Sequence, residues 1–202
     1  MTARHLDTTG FVTTALFDTM MKQSLPNQLF TQKKMQQIHI QYHDSPCGKL
    51  VLASVVDKLC LCDWNEMLCA ERNMRRLARY VSAEFTIETS PVLEEAQRQL
   101  DEYFAGKRKT FDIPLYIAGT DFQRKIWNIL IDIPYGEIKS YKDIAVGFGD
   151  SKAVRAVAQA IGANGISIFI PCHRVVGSNG SLTGYAGGLD AKRMLLEIEG
   201  IL

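Results

Sequence analysis

Ile170-Pro171-Cys172-His173-Arg174-Val175 is the stretch from which the rest of the chain can be read. An apolar, β-prone run (Ile166, Ile168, Phe169, Ile170) leads into it, and Pro171 stops that run. The expectation is a buried strand with a cysteine and a histidine at its end. A glycine-rich segment, Gly177 to Gly188, follows and carries Tyr185. A thiol beside an imidazole, at the end of a buried strand and roofed by a flexible loop, points to nucleophilic chemistry.

Upstream the periodicity is helical. Thr120 and Gln123 form a capping-box pair opening a helix whose stripe is Phe122, Ile126, Ile129, Leu130 and Ile133, and Pro134-Tyr135-Gly136 breaks it. Ser140, with Asp143 three residues on, predicts the cap of a short helix containing Tyr141, Ile144 and Ala145. Gly147-Phe148-Gly149-Asp150 reads as a turn. Ser151 reads as the cap of a further helix with Val154, Val157, Ala158 and Ile161 on its core side. Two short helices joined by a glycine turn make a helix-turn-helix candidate. The exposed side of its second helix is small (Ala153, Ala156, Ala160), allowing close approach to a surface. Lys152 and Arg155 on that helix could meet phosphates or a groove.

The first half of the chain has a different rhythm. Ile38, Ile40 and Tyr42 alternate with polar residues, Ser45-Pro46-Cys47-Gly48 is turn chemistry, and Leu50 to Val56 and Leu59 to Trp64 read as two more strands. Glu66 to Val81 reads as a helix and Phe85 to Glu88 as a short extended piece. Pro91 opens a helix to Phe104 with Leu93, Ala96, Leu100 and Phe104 on one face. The expected organisation is a leader over residues 1–36, a small α/β domain over 37–115, and a mostly helical domain over 116–202.

With 23 basic and 22 acidic residues the net charge is +1, so a nucleic-acid role has to rest on a local basic surface. No apolar run reaches the length of a membrane span, and the N-terminus lacks the layout of a secretory signal. The cysteines Cys47, Cys60, Cys62, Cys69 and Cys172 are odd in number, which favours reduced thiols and a cytoplasmic location, or a nuclear one in a eukaryote. Cys60, Cys62 and Cys69 with His39 or His43 do not reproduce a zinc-ligand spacing, and no metal is expected.

Pro171-Cys172-His173-Arg174-Val175 resembles the active-site signature of the O6-alkylguanine-DNA alkyltransferases, the methylated-DNA–protein-cysteine methyltransferases. Further matches keep the family order: Phe122-Gln123 before Trp127, Tyr135-Gly136-Glu137, Ser140-Tyr141, Ala153 to Val157, Asn164, Tyr185-Ala186-Gly187-Gly188-Leu189, and Leu195-Leu196 before Glu199-Gly200. The resemblance covers Thr120 to Gly200 firmly and the small domain more loosely, through Ser45-Pro46-Cys47-Gly48-Lys49-Leu50. It implies a small ribonuclease-H-like α/β domain followed by a mostly α domain with a winged-helix-like helix-turn-helix. It also implies stoichiometric, irreversible transfer of an alkyl group to Cys172 from O6 of guanine, less readily from O4 of thymine, in double-stranded DNA. The protein would act as a monomer, without a cofactor.

The residue roles are those the resemblance implies. Attack on an alkyl carbon needs a thiolate, and burial raises a thiol above its usual pKa of about 8.5, so a base is required. His173 is the candidate. In an extended backbone it would point away from Cys172, making a bridging water the simpler geometry, with Glu199 orienting the far imidazole nitrogen. Tyr141 resembles the tyrosine that donates to N3 of the base, Tyr185 and Ala186 the loop that faces it, and Val175 the backbone that reads its exocyclic amine. Arg155 matches the arginine that replaces the flipped base from a helix in the minor groove. Ala153 and Ala156 are expected on the same DNA-facing side. Asn164 matches a hinge asparagine, and Gly165 stands where proline is usual, which predicts a looser hinge. Rival readings are a non-catalytic lesion-binding or regulatory DNA-binding protein, and a cysteine hydrolase.

Overall fold

The computed structural model describes residues 36–65 and 67–202; the expected leader lies outside them except for Gln36, and so does the side chain of Cys69. Three strands, β1 (Gln36–Ser45), β2 (Gly48–Val55) and β3 (Lys58–Trp64), run antiparallel, and β4 (Ala83–Ile87) adds parallel to β1, giving the order β3-β2-β1-β4. Every residue of β2 from Leu50 to Val55 is buried, because both faces of the sheet are covered. On one face Val51, Ala53 and Val55, with Ile38 and Ile40 of β1, pack against Met74 and Leu77 of helix α1 (Met67–Tyr80). On the other, Leu50 and Leu52 meet Leu93, Ala96, Leu100 and Tyr103 of helix α2 (Pro91–Phe104). Ser90 caps α2, its hydroxyl accepting from the Leu93 amide, ahead of a proline in the first turn.

That second core runs on without interruption into the C-terminal half. Helix α3 (Asp121–Ile131) begins at the Thr120–Gln123 capping box and buries Ile126, Trp127 and Leu130. Trp127, absent from the expected stripe, donates its indole N–H to the Ala160 carbonyl at 2.8 Å. Helix α4 (Tyr141–Phe148) begins at the Ser140–Asp143 capping box and ends at Gly149, whose φ of 97° suits a residue without a Cβ. Its last turn thus absorbs part of the expected turn. Helix α5 (Val154–Gly162) follows, and helix α6 (Gly188–Ile198) closes the fold.

Three sequence expectations fail here. Ser151 does not cap α5: the cap position is Ala153, and the Asp150 carboxylate instead accepts from the Lys152 amide at 2.9 Å. Ala160 is buried rather than on the open face, because it packs beneath α3. Ile166 to Ile170 is buried as expected but is no strand. Ile166 bridges to Cys62, Ser167 bridges back to Ile170, and Ile168 sits at a φ of 72°. The run is apolar because it is enclosed, and enclosure does not require a ladder.

Candidate active site

Cys172, His173 and Arg174 form a single 3-10 turn, in which the Arg174 amide donates to the Pro171 carbonyl at 3.0 Å. The extended geometry entertained for Cys172 and His173 is therefore replaced by a tight turn. All three side chains are buried. Immediately after the turn, β6 (Val175–Val176) pairs in parallel with β5 (Lys139–Ser140), which leads directly into α4. This pairing ties the start of α4, where Tyr141 stands half-buried, to the segment that follows the thiol.

Asn164 donates from Nδ2 to the Ile170 carbonyl at 3.0 Å and to Cys172 Sγ at 3.1 Å, while its Oδ1 accepts from the Ile166 amide. It thus shapes the enclosed turn and holds the sulfur. Burial pushes the Cys172 thiol up to about 11, opposed by the bond from Asn164 and by the positive charge of Lys192. At neutral pH the group is a thiol, so a base has to take its proton.

His173 Nε2 lies 2.8 Å from Glu199 Oε1, with both side chains fully enclosed. Glu199 also accepts from Arg174 Nε at 2.8 Å and Nη2 at 2.9 Å, and from the Tyr103 hydroxyl at 2.8 Å. Burial pulls the Glu199 carboxyl upward, but the bonds from His173 and Arg174 prevail and hold it down at about 2. Facing a carboxylate, Nε2 must be the protonated nitrogen, which leaves the lone pair on Nδ1. Nδ1 is buried and has no partner among the described residues. Burial lowers the imidazole's pKa against the pull of Glu199, so the ring is neutral and basic at that nitrogen.

The remaining candidates divide into two places. Val175 is buried beside the turn, and its carbonyl accepts from Lys192 Nζ at 2.6 Å. Tyr185 stacks edge-on against Trp64 with centroids 5.0 Å apart and lies 6.4 Å from the His173 ring, its hydroxyl buried without a partner among the described residues. Ala186 is half-buried behind it. Gly187 is a close approach: a Cβ there would come within 2.3 Å of the Trp64 indole. Arg155 and Ala156 are exposed and Ala153 is half-buried, all at or near the start of α5.

Arg174, Tyr103 and Lys192 hold this site, and sequence alone assigned them no role. Arg174 also donates to the Ile133 carbonyl at 2.6 Å and lies over the Tyr135 ring. Lys192 is fully buried, its ammonium donating to the Val175 and Thr183 carbonyls. Burial draws it down to about 8. Only the rarity of buried lysine and arginine would flag these residues, and burial is not visible in a sequence.

The hinge expectation is also corrected. A Cβ on Gly165 would come within 2.6 Å of Arg76 Nη2, and the Gly165 carbonyl accepts from the Cys62 amide at 2.9 Å. The segment is held against β3 and α1 rather than loosened.

Residues 121–201 match the family model described as "6-O-methylguanine DNA methyltransferase, DNA binding domain" and residues 38–117 the one described as "6-O-methylguanine DNA methyltransferase, ribonuclease-like domain". The chain is 44% identical over 164 residues to the constitutive methylated-DNA–protein-cysteine methyltransferase of Bacillus subtilis, covering 78% of this chain and 93% of that one. It is 43% identical to the methylated-DNA–protein-cysteine methyltransferase of Mycobacterium tuberculosis H37Rv, over 80% of this chain and 92% of that one. Among solved structures, Mycobacterium tuberculosis OGT in complex with DNA superposes with a TM-score of 0.68 at 40% identity, over 81% of this chain and 92% of that one.

Proposed function

Since the chain belongs to the 6-O-methylguanine DNA methyltransferase family, we propose that Cys172 is its alkyl acceptor and that His173 and Glu199 activate it. The protein repairs DNA by transferring an alkyl group to one of its own cysteines. The observation that carries the assignment of residues is the Glu199–His173 pair, which leaves a neutral imidazole whose basic nitrogen has no partner among the described residues, next in the chain to a buried thiol. A non-catalytic lesion binder would not need a thiol at Cys172, which argues against that reading.

In this reading the Cys172 thiol gives its proton to His173 Nδ1, directly or through a water, and the thiolate attacks the alkyl carbon. The S–C bond forms as the C–O6 bond breaks, and the electron pair stays on the guanine. Charge building on the base needs donors, and we assign that part to Tyr141 and to the Tyr185–Ala186 loop, with the Val175 backbone reading the exocyclic amine. The Val175 carbonyl already accepts from Lys192, and its second lone pair remains for that contact. Thioethers do not revert, so each molecule acts once. O6-alkylguanine is the expected lesion, with O4-alkylthymine a poorer one.

Because a paired guanine is out of reach, the base has to be flipped out of the duplex. The exposed Arg155 on α5, with the small Ala153 and Ala156 beside it, suits entry into a minor groove. Monomeric action fits a reaction whose proposed groups all come from one chain. A nucleophilic thiol has to stay reduced, which favours the cytoplasm.

Intact-mass measurement after incubation with duplex DNA carrying O6-methylguanine tests the proposal. A single methyl gain, mapped to the Cys172 peptide and absent in Cys172→Ala, is expected. A gain mapped elsewhere, or one that survives the substitution, refutes it.

A further inference from the structure

Helix α1 carries Arg72, Arg75, Arg76 and Arg79 at spacings of three and four, which places them on one face. With Gln159, Gly162 and Ala163 at the end of α5 they line a groove of about 630 Å³. Arg72, Arg75 and Arg79 are exposed at its edge and Arg76 is half-buried at its root. Arg76 fixes the row in place. Its guanidinium donates to the Ala163 carbonyl, lies 5.5 Å from the centroid of the Trp127 ring, and occupies the room that Gly165 leaves by having no Cβ. The arginine face is thereby held against α5, although it belongs to the other half of the chain.

The direction of α5 gives the groove a ligand. Arg155, Gln159 and Gly162 recur at four and then three residues, so the open face that begins at Arg155 runs into the arginine row. From Arg72 to Arg79 the row extends about 10 Å at about 1.5 Å per residue, a length of duplex axis over which one strand presents roughly three phosphates at an axial rise of about 3.4 Å each. Guanidinium groups match phosphate oxygens in a planar, two-pronged way. In a chain of net charge +1, this face is a marked local excess of positive charge.

We propose that the groove between α1 and the end of α5 is a second phosphate-binding site, which grips the backbone of duplex DNA beyond the stretch engaged by Arg155. The N-terminal domain then takes part directly in holding DNA. This rests on the reading of the exposed α5 face as the DNA-binding surface.

The test compares the full-length protein with the Arg72→Gln/Arg79→Gln double variant on duplexes of decreasing length carrying O6-methylguanine, with affinity measured as a function of salt. On long duplex the slope of log K against log salt should shrink by about 1.8, at about 0.9 for each phosphate that is no longer neutralised. The difference should vanish on the shortest duplex that still binds, and Arg72→Lys/Arg79→Lys should restore the slope. Alkyl transfer from free O6-benzylguanine should be unchanged. An unaltered slope on long duplex overturns the proposal, as does a weakening that is independent of length or that extends to the free-base reaction. A wild-type protein without salt-dependent duplex binding would remove the reading of α5 as well, and the proposal with it.

Discussion

Replacing Glu199 with glutamine removes one charge from a cluster in which Tyr103, His173 and Arg174 all donate to that carboxylate. An amide retains one acceptor oxygen and turns the other position into a donor, which opposes the Arg174 guanidinium. Two routes to the cost agree. Leaving one partner of a buried ion pair uncompensated costs about 3–5 kcal/mol. The carboxyl falls from an ordinary 4.5 to about 2, which at about 1.36 kcal/mol per pH unit is worth about 3 kcal/mol. Because its pKa is lowered in the folded state, this stabilisation is complete above about pH 4.5 and is lost as the pH falls through about 2. Urea unfolding of wild type and Glu199→Gln at several pH values should give a constant gap of about 3 kcal/mol from pH 7 to 5, closing towards pH 2. Transfer from duplex and from free O6-benzylguanine should both slow by about 10²-fold, the lower end of what a general base contributes. A gap below about 1 kcal/mol, or one that does not close in acid, would refute the account of the cluster.

Two further outcomes separate the roles of α5 and the hinge. Arg155→Ala should slow repair of duplex DNA while leaving attack on free O6-benzylguanine within about twofold, because flipping is needed only for a stacked base; equal losses in single-turnover assays would count against it. Gly165→Ala should lower stability by about 1–3 kcal/mol, since the new methyl displaces Arg76 from the Ala163 carbonyl and the Trp127 ring; an unchanged thermal midpoint would contradict that.

Both capping boxes, the strands of the first half and the Cys172–His173 pair could be read from local spacing, because each depends on residues a few positions apart. The Asn164–Cys172 contact and the Glu199–His173 contact span 8 and 26 residues, and only resemblance to a family singled those residues out. Tyr103 reaches Glu199 across 96 residues and had no local signal at all. The run from Ile166 to Ile170 misled for a related reason. Its apolar character reports enclosure by β3 and the helices around it, and a strand or a coiled turn satisfies enclosure equally well. Gly165 read as freedom because backbone propensity is local, whereas the room it leaves for Arg76 is set by a helix 89 positions earlier.

The cluster also answers why a buried charge pair should stand where apolar packing could be as stable. A neutral imidazole can carry its proton on either nitrogen, and only one tautomer leaves Nδ1 basic. A carboxylate at Nε2 selects that tautomer, but a carboxyl group that could itself take up a proton would compete for the one leaving the thiol. The bond from His173 and the two from Arg174 together keep the carboxyl at about 2 and so remove it from that competition. Lys192 adds the remaining bias, since a cation near Cys172 favours the thiolate over the thiol. The buried charges therefore set the direction in which the proton moves, a task no apolar core could perform. The Tyr103 bond extends that arrangement into the first half of the chain, so the site depends on both halves being folded together.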